Sequence, residues 1–123
     1  MSPVTNANDK PLVWFKAGIN TPPFSQSGRR DAGFLLRKLQ QGQKLALPHS
    51  RPMPAIGPRC HELRIQDGET RKSWRIFYRI DSDAIVIAEV EEKRTRQTPK
   101  GTLERVKARL KTYDDACGGE HEG

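Results

Sequence analysis

Apolar and polar positions alternate most clearly in the second half of the chain, and the other segments are organised around that stretch. Segments 60–66 and 73–80 change character at every second residue, which is the period of a half-buried β-strand. Segment 84–90 is almost wholly apolar, as in a central strand that is covered on both faces. The polar breaks at 67–68 and 81–83 suit tight turns. The pattern therefore predicts an antiparallel meander of three strands.

Charged residues occupy definite phases of this meander. His61 and Leu63 share one face of the first strand, whereas Arg64 points to the other. In the second strand Trp74 lies on the face opposite to Arg75. In an antiparallel pair with this register, Arg64 and Arg75 could lie together on one face of the sheet.

A helical period replaces the strand period over residues 29–41. Apolar residues at i, i+3, i+4 and i+7 form a single stripe there: Ala32, Leu35, Leu36 and Leu39. Ser27 is the candidate N-cap of this helix, and Gly42 is the candidate residue just past its end. A second helix is predicted to begin with Thr98 as N-cap and Pro99 as the first helical residue. Its apolar stripe consists of Leu103, Val106, Leu110 and Tyr113.

The remaining segments complete one domain. Residues 1–10 are expected to be a disordered lead-in, and 12–17 a short strand. The proline-rich stretch 43–59 is expected to be a long irregular connection. The acidic, glycine-rich tail 114–123 is expected to be flexible, which leaves 11–113 as the folded domain. The order strand, helix, meander, helix predicts an α+β fold with a small antiparallel sheet.

Length and composition limit the function classes. The chain has 123 residues, of which 34% are hydrophobic, so it can bury one modest core. No stretch approaches the roughly 18 apolar residues of a membrane span, and the N-terminus lacks the apolar region of a signal peptide. Cys60 and Cys117 show no metal-ligand spacing. We therefore expect a cytoplasmic protein with reduced thiols and without a disulfide or zinc site.

The charge points to polyanionic partners. The formal net charge is +7 at pH 7, and the isoelectric point lies near 9.8. Nucleic acid, an acidic protein segment, or both would complement such a surface. A basic surface that serves solubility is the alternative.

Arginine and lysine residues around the sheet are the main candidates for chemistry, because the sequence has no Walker loop, no GxGxxG and no GxSxG. Arg64 and Arg75 lie on strands, and Lys93 and Arg94 follow where the third strand ends. Such a cluster could bind a phosphodiester and stabilise the charge that builds up in its transition state. Alternatively, the strand arginines pair with Glu62 or Glu89 and only stabilise the sheet.

His61 is the only histidine within the meander, and it could act as a general acid or base near neutral pH. Its phase, shared with Leu63 and Ile65, equally suits a core-facing, hydrogen-bonded residue. Trp74 and Tyr78 could stack on bases, although their spacing is also that of core residues.

Three motifs, in order, resemble those of phage-derived HigB-like toxins, which belong to the RelE/ParE superfamily of type II toxin–antitoxin systems. The first is Pro52-Met-Pro-Ala-Ile-Gly-Pro-Arg-Cys-His-Glu-Leu-Arg-Ile, the second is Trp74-Arg-Ile-Phe-Tyr-Arg, and the third is Glu92-Lys-Arg-Thr-Arg-Gln-Thr-Pro-Lys. An amphipathic helix follows the third motif, as it does in those toxins. The resemblance covers roughly residues 11–113.

The resemblance implies a RelE-like fold, with helices packed on one side of a small sheet, and a toxin that cleaves mRNA on the ribosome without a metal or other cofactor. Basic residues would orient the scissile phosphate while the 2′-hydroxyl attacks in line. Transferred by position, the candidate catalytic residues are Arg64, Arg75, Lys93, Arg94 and Thr95, with His61 transferring poorly. Further candidates for RNA contacts are Arg59, Arg79, Arg96 and Lys100.

The implied partners are mRNA, the ribosome and a cognate antitoxin that carries an acidic segment and resembles helix-turn-helix proteins; no membrane partner is implied. The oligomeric state, monomer or dimer, stays open. Two other functions also stay open, because superfamily membership does not fix activity. One is a non-catalytic module that binds nucleic acid or the ribosome, and the other is a ParE-type toxin that inhibits gyrase. The sequence departs from the superfamily at Pro22-Pro23 and Gly28, which leave only one strong helix before the meander.

Overall fold

Five strands form one open sheet in the computed structural model, which describes residues 9–117. The strands are β1 (Leu12–Trp14), β2 (Ser50–Pro52), β3 (Cys60–Asp67), β4 (Lys72–Ile80) and β5 (Ile85–Lys93). The helices are α1 (Gln26–Gln40) and α2 (Lys100–Ala116). The spatial order of the strands is β1-β5-β4-β3-β2. Neither helix in the described part is both long and apolar enough to cross a membrane.

The predicted α+β fold and the antiparallel meander are confirmed, because β3 pairs with β4 and β4 with β5, both antiparallel. The sheet as a whole is mixed, since β1 runs parallel to β5. The stretch 43–59, expected to be irregular, contributes the short edge strand β2, which pairs with β3. β1 is also shorter than the predicted strand 12–17.

The two helices pack on opposite faces of the sheet, so the expectation of helices on one side is wrong. The apolar stripe of α1 packs on one face with Ile85 and Ile87. Val106 and Leu110 of α2 pack on the other face, which carries Val86. The reason lies in β5, whose consecutive apolar residues supply a core on both faces.

The start of α1 is fixed by contacts that are distant in sequence. Ser25, not Ser27, is the N-cap: its hydroxyl accepts a hydrogen bond from the backbone N–H of Gly28. The backbone N–H of Ser25 donates to Asp67 Oδ2 at 2.6 Å, and its hydroxyl donates to Oδ1 of the same carboxylate. A Cβ at position 28 would lie 2.6 Å from Asp67 Oδ2. The close approach of Asp67 to the helix therefore requires glycine there.

Asp67 is expected to make the protein sensitive to acid. Its hydrogen bonds from Ser25 hold the pKa of its carboxyl below the ordinary value of 3.8. A carboxyl with a lowered pKa stabilises the fold above its unfolded-state pKa, and this stabilisation is lost as the pH falls through the folded-state value. The free energy of unfolding should therefore fall as the pH drops below about 4, and Asp67→Asn should flatten that dependence. Chemical denaturation at a series of pH values measures both; an unchanged slope in Asp67→Asn would contradict the assignment.

The ends of the helices and of the flanking segments differ from the predicted ones in detail. Gly42, at φ 87°, follows the last residues of α1 as predicted. Pro99, not Thr98, is the N-cap of α2, which starts one residue later than predicted. The predicted tail loses its first residues to α2, which continues to Ala116. Residues 1–8 and 118–123, the rest of the predicted lead-in and tail, lie outside the described residues.

Candidate nucleic-acid interface

Arg64 and Arg75 are direct neighbours across β3 and β4, on the sheet face that carries α2. This confirms the predicted register of the two strands. α2 covers the half of this face that contains Phe77 and Val86. The arginine pair occupies the other half, which is polar.

A single buried carboxylate organises this polar half. Glu62 is fully buried, and its Oε1 accepts a hydrogen bond of 3.0 Å from Arg64 Nε. Arg51 Nε lies 3.3 Å from the same oxygen, and Arg75 Nε lies 3.0 Å from Oε2. The last two are ion pairs without an aligned N–H···O bond. The hydroxyl of Thr98 donates to Oε2 at 3.1 Å. These five residues form what we call the Glu62 network.

The charges within the network do not balance, because three guanidinium groups surround one carboxylate. The side chains of Arg51 and Arg64 are 34% and 32% exposed. Within residues 9–117 the terminal nitrogens of Arg64 make no hydrogen bond or ion pair, so they are available to an anion. Two partly exposed guanidiniums are thus held in place by a buried counter-ion.

Arg75 holds the segment after β5 against the sheet. Its side chain is 1% exposed, and its Nη2 donates to the carbonyl oxygens of Thr95 at 2.7 Å and Arg96 at 3.2 Å. Thr98 ties the same segment to Glu62. The buried guanidinium therefore fixes the backbone that carries the basic motif.

The basic motif itself lies at the surface beside the network. Lys93 ends β5 and is half-buried, whereas Arg94 is 77% exposed and pairs with Glu92 at 3.1 Å. The hydroxyl of Thr95 donates to the carbonyl of Gln97. Arg96 and Lys100 are exposed. The structure thus brings the arginine pair, the basic motif and the start of α2 to one region.

A small cavity lies between these elements. It measures about 420 Å³ and is lined by Arg75, Glu91, Glu92, Arg94, Thr95 and Pro99. Glu91 is held by α2, since its Oε1 accepts hydrogen bonds from Thr102 and Arg105. These contacts fix the position of α2 relative to the arginine pair.

His61 lies on the opposite face of the sheet and is not brought together with the arginine pair. Its ring stacks on Tyr78, with centroids 5.3 Å apart and an interplanar angle of 17°. Burial lowers the pKa of His61 from its ordinary value. The hydroxyl of Tyr78 in turn bonds that of Ser50 at 2.7 Å. This environment fits the core-facing alternative for His61 only in part, because the ring is partly buried and makes no hydrogen bond within residues 9–117.

Arg59 and Arg79 lie at the other end of the meander. Arg79 is four residues from Arg75 along β4, which corresponds to roughly 13 Å. Arg79 is buried and bonded to both Asp81 and Asp114, which raise its pKa. Its guanidinium joins β4 to α2, and this leaves it unsuited to contact RNA. The Nε of Arg59 donates to the carbonyl of Ile80 at the surface.

Three members of the network, Arg51, Glu62 and Thr98, are not among the candidate site residues from the sequence, where Thr98 is predicted only as a helix cap. Arg51 was placed in an irregular segment, because a three-residue strand with a proline gives no readable period. Glu62 was considered only as a partner in the structural alternative. Its phase, two residues before Arg64 and on the same face, was the available signal. Within residues 9–117 no three His, Cys, Asp or Glu side chains are grouped so that they could hold a metal ion.

Residues 23–111 match the model of a family described as Phage derived protein Gp49-like (DUF891). The match covers more than half of the chain. It includes α1, the meander, the whole Glu62 network and most of α2, whereas β1 precedes it. The chain matches no curated protein.

Proposed function

Because the chain belongs to the family of phage-derived Gp49-like proteins, we propose that it is the toxin of a type II toxin–antitoxin system. Its proposed activity is cleavage of mRNA on the ribosome, without a metal ion. One observation carries this proposal: three guanidinium groups converge on one buried carboxylate, and two of them stay partly exposed. A surplus of fixed positive charge is the arrangement that a phosphodiester requires.

The proposal gives the residues different roles. Arg64 and Arg51 contact the scissile phosphate, because their guanidiniums are partly exposed and positioned by Glu62. Arg75 is a positioning residue, since its buried side chain holds the backbone of Thr95. Lys93, Arg94, Arg96 and Lys100 bind the neighbouring RNA backbone.

The proposed reaction is an in-line transesterification. The 2′-oxygen attacks phosphorus and loses its proton, while the bond from phosphorus to the 5′-oxygen breaks and that oxygen gains a proton. The negative charge on the non-bridging oxygens increases in the transition state, where the guanidinium of Arg64 stabilises it. A fixed guanidinium donates two hydrogen bonds, which favours arginine over lysine at this position.

A second candidate function is a non-catalytic module that binds RNA or the ribosome through the same face. The position of His61 favours it, because the histidine of the meander lies on the opposite side of the sheet from Arg64. Binding through fixed guanidiniums would need no general base.

Expression in growing bacteria separates the candidates. A nuclease should stop growth and translation within one generation and produce mRNA fragments with new 5′-hydroxyl ends, which sequencing of 5′ ends can map. Arrested translation with intact mRNA would replace the nuclease by the binding module. Double-strand breaks in DNA, with translation unaffected at first, would indicate a gyrase inhibitor and contradict both.

The proposed toxin also requires a partner that neutralises it. With a net charge of +7, the chain should bind an antitoxin through an acidic segment. Co-expression with the product of each flanking gene should yield a stable complex and restore growth. Failure of both neighbours to bind or to restore growth would contradict the toxin–antitoxin assignment for this locus.

A further inference from the structure

α1 covers only part of its face of the sheet. Beside it lies a cavity of about 520 Å³, which is lined by Leu12, Trp14, Ile76 and Val90 of the sheet, by one side of α1 and by residues of the segment 20–24. The hydrophobic core continues into the sheet side of this cavity, since Leu12, Trp14 and Val90 are only partly buried and pack against it. Ile85 and Ile87 of β5 are fully buried, whereas Leu12, Trp14 and Val90, at the margin of the area that α1 covers, stay partly exposed.

The cavity follows α1 along its length. Arg29, Gly33, Leu36 and Gln40 line it, at spacings of three and four residues along one ridge of the helix. From the first to the last of these residues the ridge is about 16 Å long. A groove between a helix and a sheet, running parallel to the helix axis, has the shape that accepts a second helix beside the first.

Gly33 supports the idea that a second helix packs in this groove. It lies in the interior of α1, where glycine is less favourable than alanine. A Cβ at this position would meet no atom within 4 Å, so packing within the chain does not require glycine here. A glycine facing the groove does allow another backbone to approach closely.

The charge beside the groove indicates which kind of helix could bind there. Arg29 lines its rim, is exposed, and makes no side-chain ion pair within residues 9–117. The start of α1 is already bound by the carboxylates of Asp67 and Glu69, so the positive charge of this rim comes from Arg29 and from the neighbouring Arg30, which is also exposed. An incoming segment with carboxylates on its outer side would be attracted to this rim.

We propose that this groove binds an amphipathic helix of a partner protein, with its apolar side on Trp14 and Val90 and its acidic side near Arg29. The identity of the partner as the antitoxin rests on the proposed function, but the existence of the helix site does not. The groove and the Glu62 network lie on opposite faces of the sheet. A helix bound in the groove therefore leaves Arg64 accessible, and the partner and RNA should be able to bind together.

The test uses the full-length protein and a fluorescein-labelled peptide of roughly 18 residues, long enough to form a helix. Leu occupies positions i, i+3, i+4 and i+7 of the peptide, and Glu and Gln occupy the others. Fluorescence anisotropy should show binding with a micromolar Kd. Gly33→Leu fills the mouth of the groove and should weaken binding at least about tenfold. The matched control is Gly101→Leu, which changes the other helical glycine with open space around it, on α2, and should bind as wild type does.

A second variant changes Arg29, which is exposed, so the substitution should not disturb the fold. Arg29→Glu should weaken the Glu peptide and strengthen a peptide with Lys in place of Glu. Equal binding to wild type and Gly33→Leu, or no binding to wild type, would overturn the proposal. A wild-type dimer that Gly33→Leu makes monomeric, seen by light scattering, would show that a second copy occupies the groove and would also overturn it. These assays contain no RNA, so a failed nuclease assay does not affect their outcome; adding RNA to the saturated complex then tests simultaneous binding.

Discussion

Glu62→Gln is expected to lower the free energy of unfolding by about 3–5 kcal/mol, because it removes one partner of a buried ion pair and leaves the other charge uncompensated. Gln has nearly the same shape as Glu, so the change isolates the charge. The guanidinium of Arg75, with 1% exposure, would then have no counter-ion within reach in the network. Arg51 and Arg64 can turn towards water, whereas Arg75 cannot.

Chemical denaturation followed by circular dichroism measures this change. The matched control is Glu92→Gln, which alters a carboxylate paired with the exposed Arg94. A surface ion pair contributes about 0–1 kcal/mol, so this variant should unfold nearly as wild type does. Equal unfolding of the two variants would show that Glu62 does not hold the network together.

The same contacts change the interpretation of Arg75. From the sequence alone, Arg75 is a candidate catalytic residue, with a purely structural pairing to Glu62 or Glu89 as the alternative. Its burial, its ion pair with Glu62 and its bonds to the carbonyls of Thr95 and Arg96 assign it a structural role in addition. Arg75→Ala should therefore lose stability together with activity.

Local periodicity was sufficient to predict most of the helices and strands. The stripe that includes Leu35 and Leu36 predicted α1, and the alternation in 60–66 and 73–80 predicted the paired strands, because both patterns depend on neighbours within one element. The short strand β2 gave no such pattern, and β1 was predicted only with longer bounds, 12–17. Three residues span little more than one period of a strand.

Contacts between distant segments determine the helix cap and the burial of the strand arginines, which local sequence patterns could not predict. Ser27 and Ser25 are equally good caps by residue type, and Asp67, some forty residues away, selects Ser25. Likewise, an arginine on a strand can be exposed or buried. The ion pair with Glu62 on the neighbouring strand stabilises Arg75 in its buried position. The sequence thus predicted that the basic motif and the arginine pair could lie close together, as they do in the structure, whereas the burial of each side chain depended on the pairing register.

Arg64→Ala should reduce the rate of RNA cleavage by about 10²–10³ while changing the free energy of unfolding by no more than about 1 kcal/mol. The expected loss follows from its terminal nitrogens, which have no partner within residues 9–117 and are therefore free to bind a phosphate. The small effect on stability follows from its exposure of 32% and from the two other guanidiniums that remain on Glu62. Arg64→Lys should restore only part of the rate, since an ammonium group lacks the planar pair of donors.

Single-turnover cleavage of a labelled mRNA on programmed ribosomes measures the rate, and thermal unfolding of the same samples measures stability. Arg30→Ala is the matched control, because this exposed arginine lies on α1, on the other side of the sheet, and should leave both quantities unchanged. Arg75→Ala should lower both, which distinguishes a positioning residue from one that contacts the phosphate. If Arg64→Ala cleaves at the wild-type rate, the phosphate does not bind at this network, and the non-catalytic module becomes the better explanation of the arginine pair.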